Sequence, residues 1–329
     1  MSRRRSAAVV AFVALAACGR GKSDGNANAG AEASAEASAD AGAGADARAD
    51  ADADAGAGAA DAGADDAEYL DGAPRTAKGI GHTSVVFKIE LTTGKKAAFK
   101  PASRRGPVRY KGEIAARRLG VALGLANVPR AFFRTFEAAK LAGAKDADEM
   151  LVHDGTVKGA LMPWIDGLSF LALEQAPLAA QWKQWLRRGE SIPDDQKELA
   201  RQISTLVAFD FVTANWDRWS GGNVGIDKAT GTLLYIDNDG AFFEVPPAEG
   251  LLRNKRLIEG VDKFSRAFVA RLRTLDDDAL DRALGEETPG VPLLSAKALA
   301  GVHARRKQLL ELIDAKAGDA GEGATLAFP

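Results

Sequence analysis

The sequence has little cysteine and histidine. Cys18 is its only cysteine, so the chain cannot form an internal disulfide and its folded part must be stabilised by its core. The three histidines, His82, His153 and His303, are widely separated and lack the spacing of a zinc site. Signature motifs of serine hydrolases and zinc proteases are also missing. These absences exclude a disulfide scaffold and give no support to those two enzyme classes.

A strong excess of charge is also lacking, with 43 basic and 45 acidic residues and a net charge of -2. The charges are unevenly distributed, since residues 22–68 carry 12 acids and 2 bases, whereas the part from Tyr69 onward has a net charge of +4. That excess is too small to indicate DNA or RNA as a partner. A mildly basic domain suits an anionic ligand such as a nucleotide, although an ordinary solvated surface explains the charge equally well.

The N-terminus has the pattern of a secretion signal. Three arginines at positions 3–5 precede an apolar run, Ala7–Ala17, of 11 residues. This run is too short to cross roughly 30 Å of hydrocarbon as a helix, but it fits a signal peptide over residues 1–17. It ends in Leu15-Ala-Ala-Cys18-Gly, which resembles the bacterial lipobox. The resemblance implies lipid on Cys18 and attachment to the bacterial cell envelope, at the outer membrane or facing the periplasm. The alternative is an ordinary signal peptide with an incidental cysteine.

Composition also predicts the limits of the folded domain. Residues 18–68 consist almost entirely of Ala, Asp, Gly, Ser and Glu and contain no aromatic residue. Such a segment cannot bury enough apolar surface to offset the entropy lost on ordering. We therefore predict a disordered stalk that extends by self-repulsion. Ordered structure is predicted to begin near Arg75, with a domain over 75–317 and a flexible tail over 318–329.

The pattern of the folded part changes along its length. Ser84–Leu91 alternates and is followed by a turn and a returning strand, Ala97–Pro101; further strand candidates lie at 131–136 and 157–164. One helix is predicted over Tyr110–Leu125. Beyond Leu168 helical periodicity dominates, interrupted by two short strands near 224–227 and 233–237. A strand-rich part followed by a helical part predicts an α+β protein with an N-lobe over about 75–165 and a C-lobe over about 166–317.

Two charged residues of the predicted N-lobe lie where phosphate chemistry would use them. Lys100, on the returning strand, could hold phosphates as a point charge. Glu113, near the start of the next helix, could pair with that ammonium. Each has an ordinary explanation when taken alone, because a single strand lysine is usually at the surface and acids at helix starts complement the macrodipole.

Two polar clusters follow in the predicted C-lobe. An apolar helix runs into Asn215-Trp-Asp-Arg-Trp-Ser-Gly-Gly-Asn223, and an Asx-capped helix end explains one of these polar residues but hardly the whole cluster. The second cluster places Asp237 and Asp239 at the end of an apolar strand. Metal-binding carboxylates are often placed there, and Mg²⁺ takes one or two of them together with substrate phosphates. A polar turn is the plainer explanation.

In this order the pieces resemble a known kinase family. Phe99-Lys-Pro101, Glu113-Ile-Ala-Ala-Arg-Arg-Leu119 and Val128-Pro129 are similar to the N-lobe of the four-jointed-like secretory-pathway kinases, the Golgi casein kinase group. Phe209-Asp-Phe211, Asn215-Trp-Asp-Arg218 and Ile236-Asp-Asn-Asp-Gly-Ala-Phe242 are similar to its C-lobe. HipA-like and phosphatidylinositol kinases share a looser version. The resemblance covers roughly Ser84–Phe243 and implies a two-lobed, protein-kinase-like fold.

The resemblance also implies roles for the matching residues. Lys100 would bind the phosphates with Glu113 as its ion-pair partner. Asp217 would be the catalytic acid/base that orients the acceptor hydroxyl, and Asp237 would be the main metal ligand. The remaining roles are a second metal ligand (Asn223), a brace for the catalytic loop (Asp210), an adenine-covering hinge (Leu161–Ile165) and the start of a phosphate-covering loop (Lys78–Gly81).

The sequence departs from the family at three points. Trp219 stands where the relatives usually have His, and the cysteines of the animal kinases are absent. Asn223 follows Asp217 by six residues, whereas HipA-like and lipid kinases commonly have five.

The implied function is ATP-dependent phosphoryl transfer to a protein or glycan hydroxyl, with Mg or Mn. Two alternatives stay open. A pseudokinase-like binding module at the cell envelope is favoured by the exported location, where ATP is expected to be scarce, and by the departures at Trp219 and Asn223. The presence of all four main site residues argues against it. The other alternative is AMP transfer on the same scaffold.

Overall fold

The structure is a computed structural model and describes residues 65–329. The predicted signal peptide, the lipidation site Cys18 and the stalk as far as residue 64 lie outside the described residues. Within 65–329 no helix is long and apolar enough to cross a membrane. The predicted α+β class is confirmed, since a five-stranded antiparallel sheet is followed by a largely helical part.

The N-lobe is built on that sheet. Residues 65–71 form a first helix, α1. The strands, in chain order, are β1 (Pro74–Gly79), β2 (Phe87–Leu91), β3 (Lys96–Pro101), β4 (Phe132–Glu137) and β5 (Thr156–Pro163), and they lie side by side as β1-β2-β3-β5-β4. Alternation along β2 buries Phe87, Ile89 and Leu91 on one face, as a half-buried strand requires. Lys100 lies near the end of β3, in register with Ala160 of β5.

Helix α2 (Tyr110–Ala122) lies between β3 and β4 in the chain and links the two lobes. Ile114, Ala115 and Leu119 are buried in the same hydrophobic cluster as the C-lobe helices, whereas β2 belongs to a separate N-lobe cluster. Glu113 is in the first turn of α2. The helix therefore positions its acid at the junction of the lobes.

The C-lobe is mainly helical. In chain order its elements are β6 (Ser169–Phe170), α3 (Leu178–Trp185), α4 (Lys197–Thr213), β7 (Val224–Asp227), β8 (Thr232–Tyr235), α5 (Ala248–Glu259), α6 (Arg266–Thr274), α7 (Asp277–Leu284), β9 (Glu286–Thr288), β10 (Val291–Pro292), α8 (Ala296–Ala320) and α9 (Glu322–Thr325). Helix α4 is buried along most of its length, and its second half, from Leu206 to Val212, is apolar except for Asp210. It ends next to the small antiparallel sheet β6-β7-β8.

The folded region begins earlier than the sequence predicted. The side chains of Asp65 and Asp66 in α1 each contact Arg130 at 2.5 Å, and the Tyr69 ring stacks on Phe132 with 5.9 Å between centroids. The predicted start near Arg75 and the assignment of residues 65–68 to the stalk are therefore wrong. Composition failed here because one aromatic residue and four long-range ion pairs, made by the acids of α1 with Lys95 and Arg130, order a segment that is otherwise poor in apolar residues.

The predicted flexible tail over 318–329 is also wrong. Helix α8 continues to Ala320 and α9 follows it, while Leu326 and Phe328 are buried. The backbone of Phe328 exchanges hydrogen bonds with the segment before α6, accepting from the Arg266 N–H at 2.9 Å. Two large apolar side chains and this pairing dock the segment, although most of its residues are small or polar.

Candidate active site

The loop that carries Asp217 is fixed where helix α4 ends. Ala214 takes the left-handed conformation with φ of 52°, and the Asn215 N–H donates to the Asp210 carbonyl at 3.0 Å, which terminates the helix. Asn254 of α5 donates its Nδ2 to the carbonyls of Asp210 and Asn215, at 3.2 and 2.9 Å. The backbone that leads into Asp217 is thus held from two sides.

Lys100 lies at the centre of a cluster of carboxylates. Its Nζ contacts Glu113 Oε1 at 2.6 Å, Asp237 Oδ1 at 2.7 Å and Asp239 Oδ2 at 3.1 Å. The side chains of Lys100, Glu113 and Asp239 are almost completely buried, whereas that of Asp237 is 43% exposed. Asp237 is therefore the member of this cluster that is open to a ligand.

Burial and charge act on Lys100 in opposite directions. Burial alone would lower its pKa, but Asp237, Glu113 and Asp239 outweigh burial and hold that pKa well above its ordinary value. For Asp239, burial raises the pKa, and the charges of Lys100 and Arg109 outweigh it, so that the pKa lies below its ordinary value. The protonated form of Lys100 and the ionised form of Asp239 therefore stabilise each other.

The Asp237 loop closes directly on helix α2. Asp237 has φ of 54°, in the left-handed region that is sparsely populated by residues other than glycine. The Asn238 N–H donates to both carboxylate oxygens of Glu113, each at 3.1 Å. Gly112 permits this approach, because a Cβ at that position would lie 2.4 Å from the Asn238 carbonyl oxygen. Glu113 thus orients both Lys100 and the loop.

Arg218 links the loop that carries Asp217 to the loop that carries Asp237. Its Nε contacts both carboxylate oxygens of Asp210, at 3.1 and 3.2 Å, and its other nitrogens donate to the carbonyls of Asn223 and Ile236 and to Asn238 Oδ1. Both members of the ion pair are fully buried. Burial raises the pKa of Asp210 to about 6, although the Arg218 charge opposes this. Asp210 makes the bracing contact that the resemblance implied.

Asp217 is partly buried near the acidic loop, which is the loop that carries Asp237 and Asp239. Burial raises its pKa, and the charges of Asp237 and Asp239 raise it further, while a hydrogen bond from Ser220 opposes them. Gly240 of the acidic loop lies so close that a Cβ on it would be 2.8 Å from the Asp217 Cβ. The structure therefore brings Asp217 beside the loop of Asp237 and Asp239. A carboxylate with a raised pKa is a stronger base than an ordinary aspartate.

Asn223 lies at the end of the loop that carries Asp217. Its Nδ2 donates to the Asp217 carbonyl oxygen at 2.7 Å, so the side chain helps to hold the loop. Trp219, the departure from the family pattern, is buried and stacks on Trp182 with 5.6 Å between centroids. The structure gives Trp219 a packing role in place of a polar one.

A cavity of about 590 Å³ lies between the lobes. Lys100, Glu113 and Asp237 line its polar end. Its other walls come from the loop after β1, the segment after β5 and the surrounding strands, which contribute Ile80–Ser84, Val86, Ala98, Pro129, Met162–Ile165, Leu168, Phe170 and Ile236. The predicted hinge and the predicted phosphate-covering loop thus both border one cavity, which is charged where Lys100, Glu113 and Asp237 meet and largely apolar elsewhere.

The residues present suit a divalent cation that is shared with phosphates. Within residues 65–329 no three histidine, cysteine or carboxylate side chains converge as a complete metal-binding cluster. Mg²⁺ sites of phosphotransferases need only one or two protein carboxylates, because phosphate oxygens and water complete the shell. Asp237, half-exposed at the cavity, fits this requirement better than Asp239, whose oxygens are already occupied by Lys100, Arg109 and Ser84.

Sequence reasoning missed three residues of the site. Asp239 was only a candidate metal-binding carboxylate beside Asp237, yet it contacts Lys100 and is more deeply buried than Asp237. Ser84 Oγ donates to Asp239 Oδ2, and Arg109 Nη2 donates to Oδ1, both at 2.6 Å. The paired spacing of Asp237 and Asp239 was a usable signal for the first. Ser84 and Arg109 carry no local signal, since they contact Asp239 from 155 and 130 residues away.

Comparison with known proteins identifies the fold. No protein-family model and no curated protein matches the chain. Among solved structures, a hydra Fam20 determined with sugar is similar at 17% identity and a TM-score of 0.54, over 76% of this chain and 87% of that one. The Golgi casein kinase with Mn/ADP bound is similar at 13% identity and a TM-score of 0.58, over 78% and 76% of the two chains.

These similarities confirm the predicted resemblance at the level of the fold. The chain has the two-lobed kinase-like fold of the Fam20 and Golgi casein kinase structures. At such low identity the similarity shows the fold and not a reaction.

Proposed function

We propose that the chain is an ATP-dependent phosphotransferase that acts on a hydroxyl of a protein or glycan. The observation that carries this proposal is the charged end of the inter-lobe cavity. There Lys100 is bound by Glu113 and Asp237 at 2.6 and 2.7 Å, with Asp217 beside the same loop. An oriented ammonium, an open carboxylate and a separate base are the parts that phosphoryl transfer requires.

The lining of the cavity suits a nucleotide. Its apolar walls, including Met162, Leu168 and Ile165, suit a purine base. At the charged end, Lys100 binds phosphate oxygens, and Glu113 keeps its ammonium in place. The Golgi casein kinase, which shares the fold, has been solved with Mn/ADP, and this supports the same class of ligand here.

The proposed phosphoryl transfer takes place in a single step. The acceptor oxygen forms a bond to the γ-phosphorus while the bond from that phosphorus to the bridging oxygen breaks, and ADP leaves with that electron pair. The proton of the acceptor hydroxyl goes to the Asp217 carboxylate. A divalent cation, Mg or Mn, would supply positive charge at the phosphates. Asp237 would hold it, with Asn223 as the second ligand.

A thermal-shift measurement on the purified protein tests the nucleotide site. With ATP and Mg²⁺ or Mn²⁺ at about 100 times the dissociation constant, the native state should gain about 2.7 kcal/mol. Asp237→Ala should lose this metal-dependent shift, because it removes the open carboxylate. Asp195→Ala, at an exposed position of the C-lobe, is the matched control and should shift like wild type.

Two outcomes contradict the proposal in different ways. If neither metal gives a shift with wild type, the domain is a binding module that does not use ATP. If Asp237→Ala keeps a full metal-dependent shift, then Asp237 is not the metal ligand.

We further propose that the protein acts at the bacterial cell envelope and is attached through lipid on Cys18. The lipobox-like sequence before Cys18 supports this. In a bacterial host, Cys18→Ser should move the protein from the membrane fraction to the soluble fraction, while Ser23→Ala should leave it in the membrane fraction. Fractionation followed by mass spectrometry of the N-terminal peptide measures both effects. Equal membrane association of wild type and Cys18→Ser would exclude this anchor.

A further inference from the structure

Arg109 binds the buried acid of the site from the side opposite Lys100. Its Nη2 donates to Asp239 Oδ1 at 2.6 Å, whereas Lys100 contacts Oδ2 at 3.1 Å. Asp239 is about 1% exposed, so two cations bracket one buried carboxylate. Three ion pairs already attach Lys100 to the neighbouring acids. Lys100 is thus shared among three carboxylates, and Arg109 supplies Asp239 with a second cation.

The position of Arg109 is on the side of Asp217 and not in the nucleotide cavity. Lys100 lines the cavity, and Arg109 does not. The Arg109 guanidinium lies 6.0 Å from the centroid of the Trp216 ring, the residue immediately before Asp217. Its positive charge also acts on Asp217, opposing the rise in pKa that burial causes. Arg109 thus contacts the acidic loop and lies near the residue that precedes the proposed base, where a phosphoryl group would pass to its acceptor.

Among residues 65–329, the Arg109 guanidinium has more N–H donors than hydrogen-bond acceptors to receive them. Arg109 spends one side-chain hydrogen bond, on Asp239, and its Nε is buried without a partner among residues 65–329. Buried donors are nearly always paired in native proteins, and one that is not requires an explanation. A guanidinium offers five N–H groups in a planar fork that matches phosphate oxygens.

The side chain is also held in place before any ligand binds. Gly106 makes room for it, because a Cβ at Gly106 would lie 2.3 Å from Arg109 Cδ. The Arg109 N–H closes this turn by donating to the Gly106 carbonyl at 3.4 Å. With its stem against Gly106 and its head on Asp239, the arginine loses little entropy on binding a ligand.

We propose that Arg109 binds the γ-phosphoryl group and stabilises the charge on its oxygens during transfer. This inference rests on the proposed function, since it needs ATP in the cavity. Asp239 orients the guanidinium, and the free N–H groups donate to the oxygens of the phosphoryl group as it moves from ADP to the acceptor. An arginine that performs this role within one chain or from a partner contributes about 10³–10⁵-fold to kcat in other phosphotransferases.

The test compares ATP with ADP, because only ATP carries the group that Arg109 would contact. Calorimetry with Mg²⁺ should show that wild type prefers ATP over ADP by about tenfold or more, the value of one charge-assisted hydrogen bond. Arg109→Gln retains an N–H donor for Asp239 but loses the charge. It should bind ADP like wild type, lose most of the preference for ATP and transfer phosphate at least about 100-fold more slowly.

Two further variants provide a partial rescue and a control. Arg109→Lys, which keeps the charge, should recover part of both losses. Arg104→Ala is the matched control, because Arg104 belongs to the same segment but is 59% exposed and pairs with Glu149. It should behave like wild type.

The possible failures are distinguishable. If wild type binds neither nucleotide, the proposed function fails, and this inference fails with it. If wild type binds both nucleotides and Arg109→Gln keeps the wild-type preference for ATP, then Arg109 does not contact the γ-phosphoryl group, even if transfer slows. That result would leave the proposed function intact and would make Arg109 a residue that only positions Asp239.

Discussion

Asp217→Asn should abolish phosphoryl transfer while leaving nucleotide binding intact. The amide is nearly the same size as the carboxyl but cannot accept the proton of the acceptor hydroxyl, and removal of a general base typically costs about 10²–10⁴-fold in rate. The side chain lies outside the residues that line the nucleotide cavity, so the affinity for ATP with Mg²⁺ should stay close to that of wild type. Transfer of labelled phosphate to a protein or glycan acceptor, with calorimetry for binding, measures the two quantities.

The fold should tolerate this change. Burial and the nearby Asp237 and Asp239 raise the pKa of Asp217 in the folded protein above its ordinary value. A carboxyl group whose pKa is higher in the folded state than in the unfolded state binds its proton more tightly when the protein is folded. Its ionised form at pH 7 therefore lowers the free energy of unfolding. Asp217→Asn removes that charge and should leave the melting temperature unchanged or slightly higher. Asp195→Asn, on an exposed carboxyl, is the control. Transfer at the wild-type rate by Asp217→Asn would rule out Asp217 as the base.

Arg218→Ala should cause the largest loss of stability among the single changes considered. The Asp210–Arg218 pair is buried, with side chains 1% and 0% exposed, and removal of one partner leaves an uncompensated charge in the interior. Such changes typically cost about 3–5 kcal/mol. The arginine also donates to Asn238 Oδ1 at 2.6 Å and to the Ile236 carbonyl, so its loss frees the acidic loop from the catalytic loop. Chemical denaturation gives the free energy of unfolding.

Two comparisons show whether the effect belongs to the buried pair. Arg218→Lys retains the charge but not the planar set of donors, so it should be intermediate. Arg201→Ala removes a partly exposed pair with Glu198 on helix α4, which should cost no more than about 1 kcal/mol. Arg218→Ala and Arg201→Ala with equal unfolding free energies would show that the buried pair does not stabilise the fold.

Much of the architecture could be predicted because local pattern reports which residues face a core. The alternation over Ser84–Leu91 and the returning strand over Ala97–Pro101 correspond to β2 and β3, and the helix predicted at Tyr110 begins there. Helices α5 and α7 were not predicted. Helix α5 has two separate pairs of apolar residues, Leu251-Leu252 and Leu257-Ile258, with charged residues between them, and α7 has only eight residues. Neither gives a long periodic signal.

The sequence by itself determined the class of the fold, the order of the motifs and the identity of the central ion pair. Lys100 and Glu113 are 13 residues apart, on a strand and on the helix that follows it, and a local pattern with a family resemblance suffices to pair them. The N-lobe and C-lobe follow from the change of periodicity beyond Leu168.

Only the tertiary structure decided how the acids share the cations and where the domain ends. Asp237 contacts Lys100 from 137 residues away, and Asp239 contacts Arg109 from 130 residues away. No window of sequence therefore shows that one acid is open while the other is fully paired. The same holds for Tyr69 and Phe328, which dock segments that composition alone predicts to be disordered. The physical reason is that burial and ion pairing depend on what packs against a residue, and those neighbours come from distant parts of the chain.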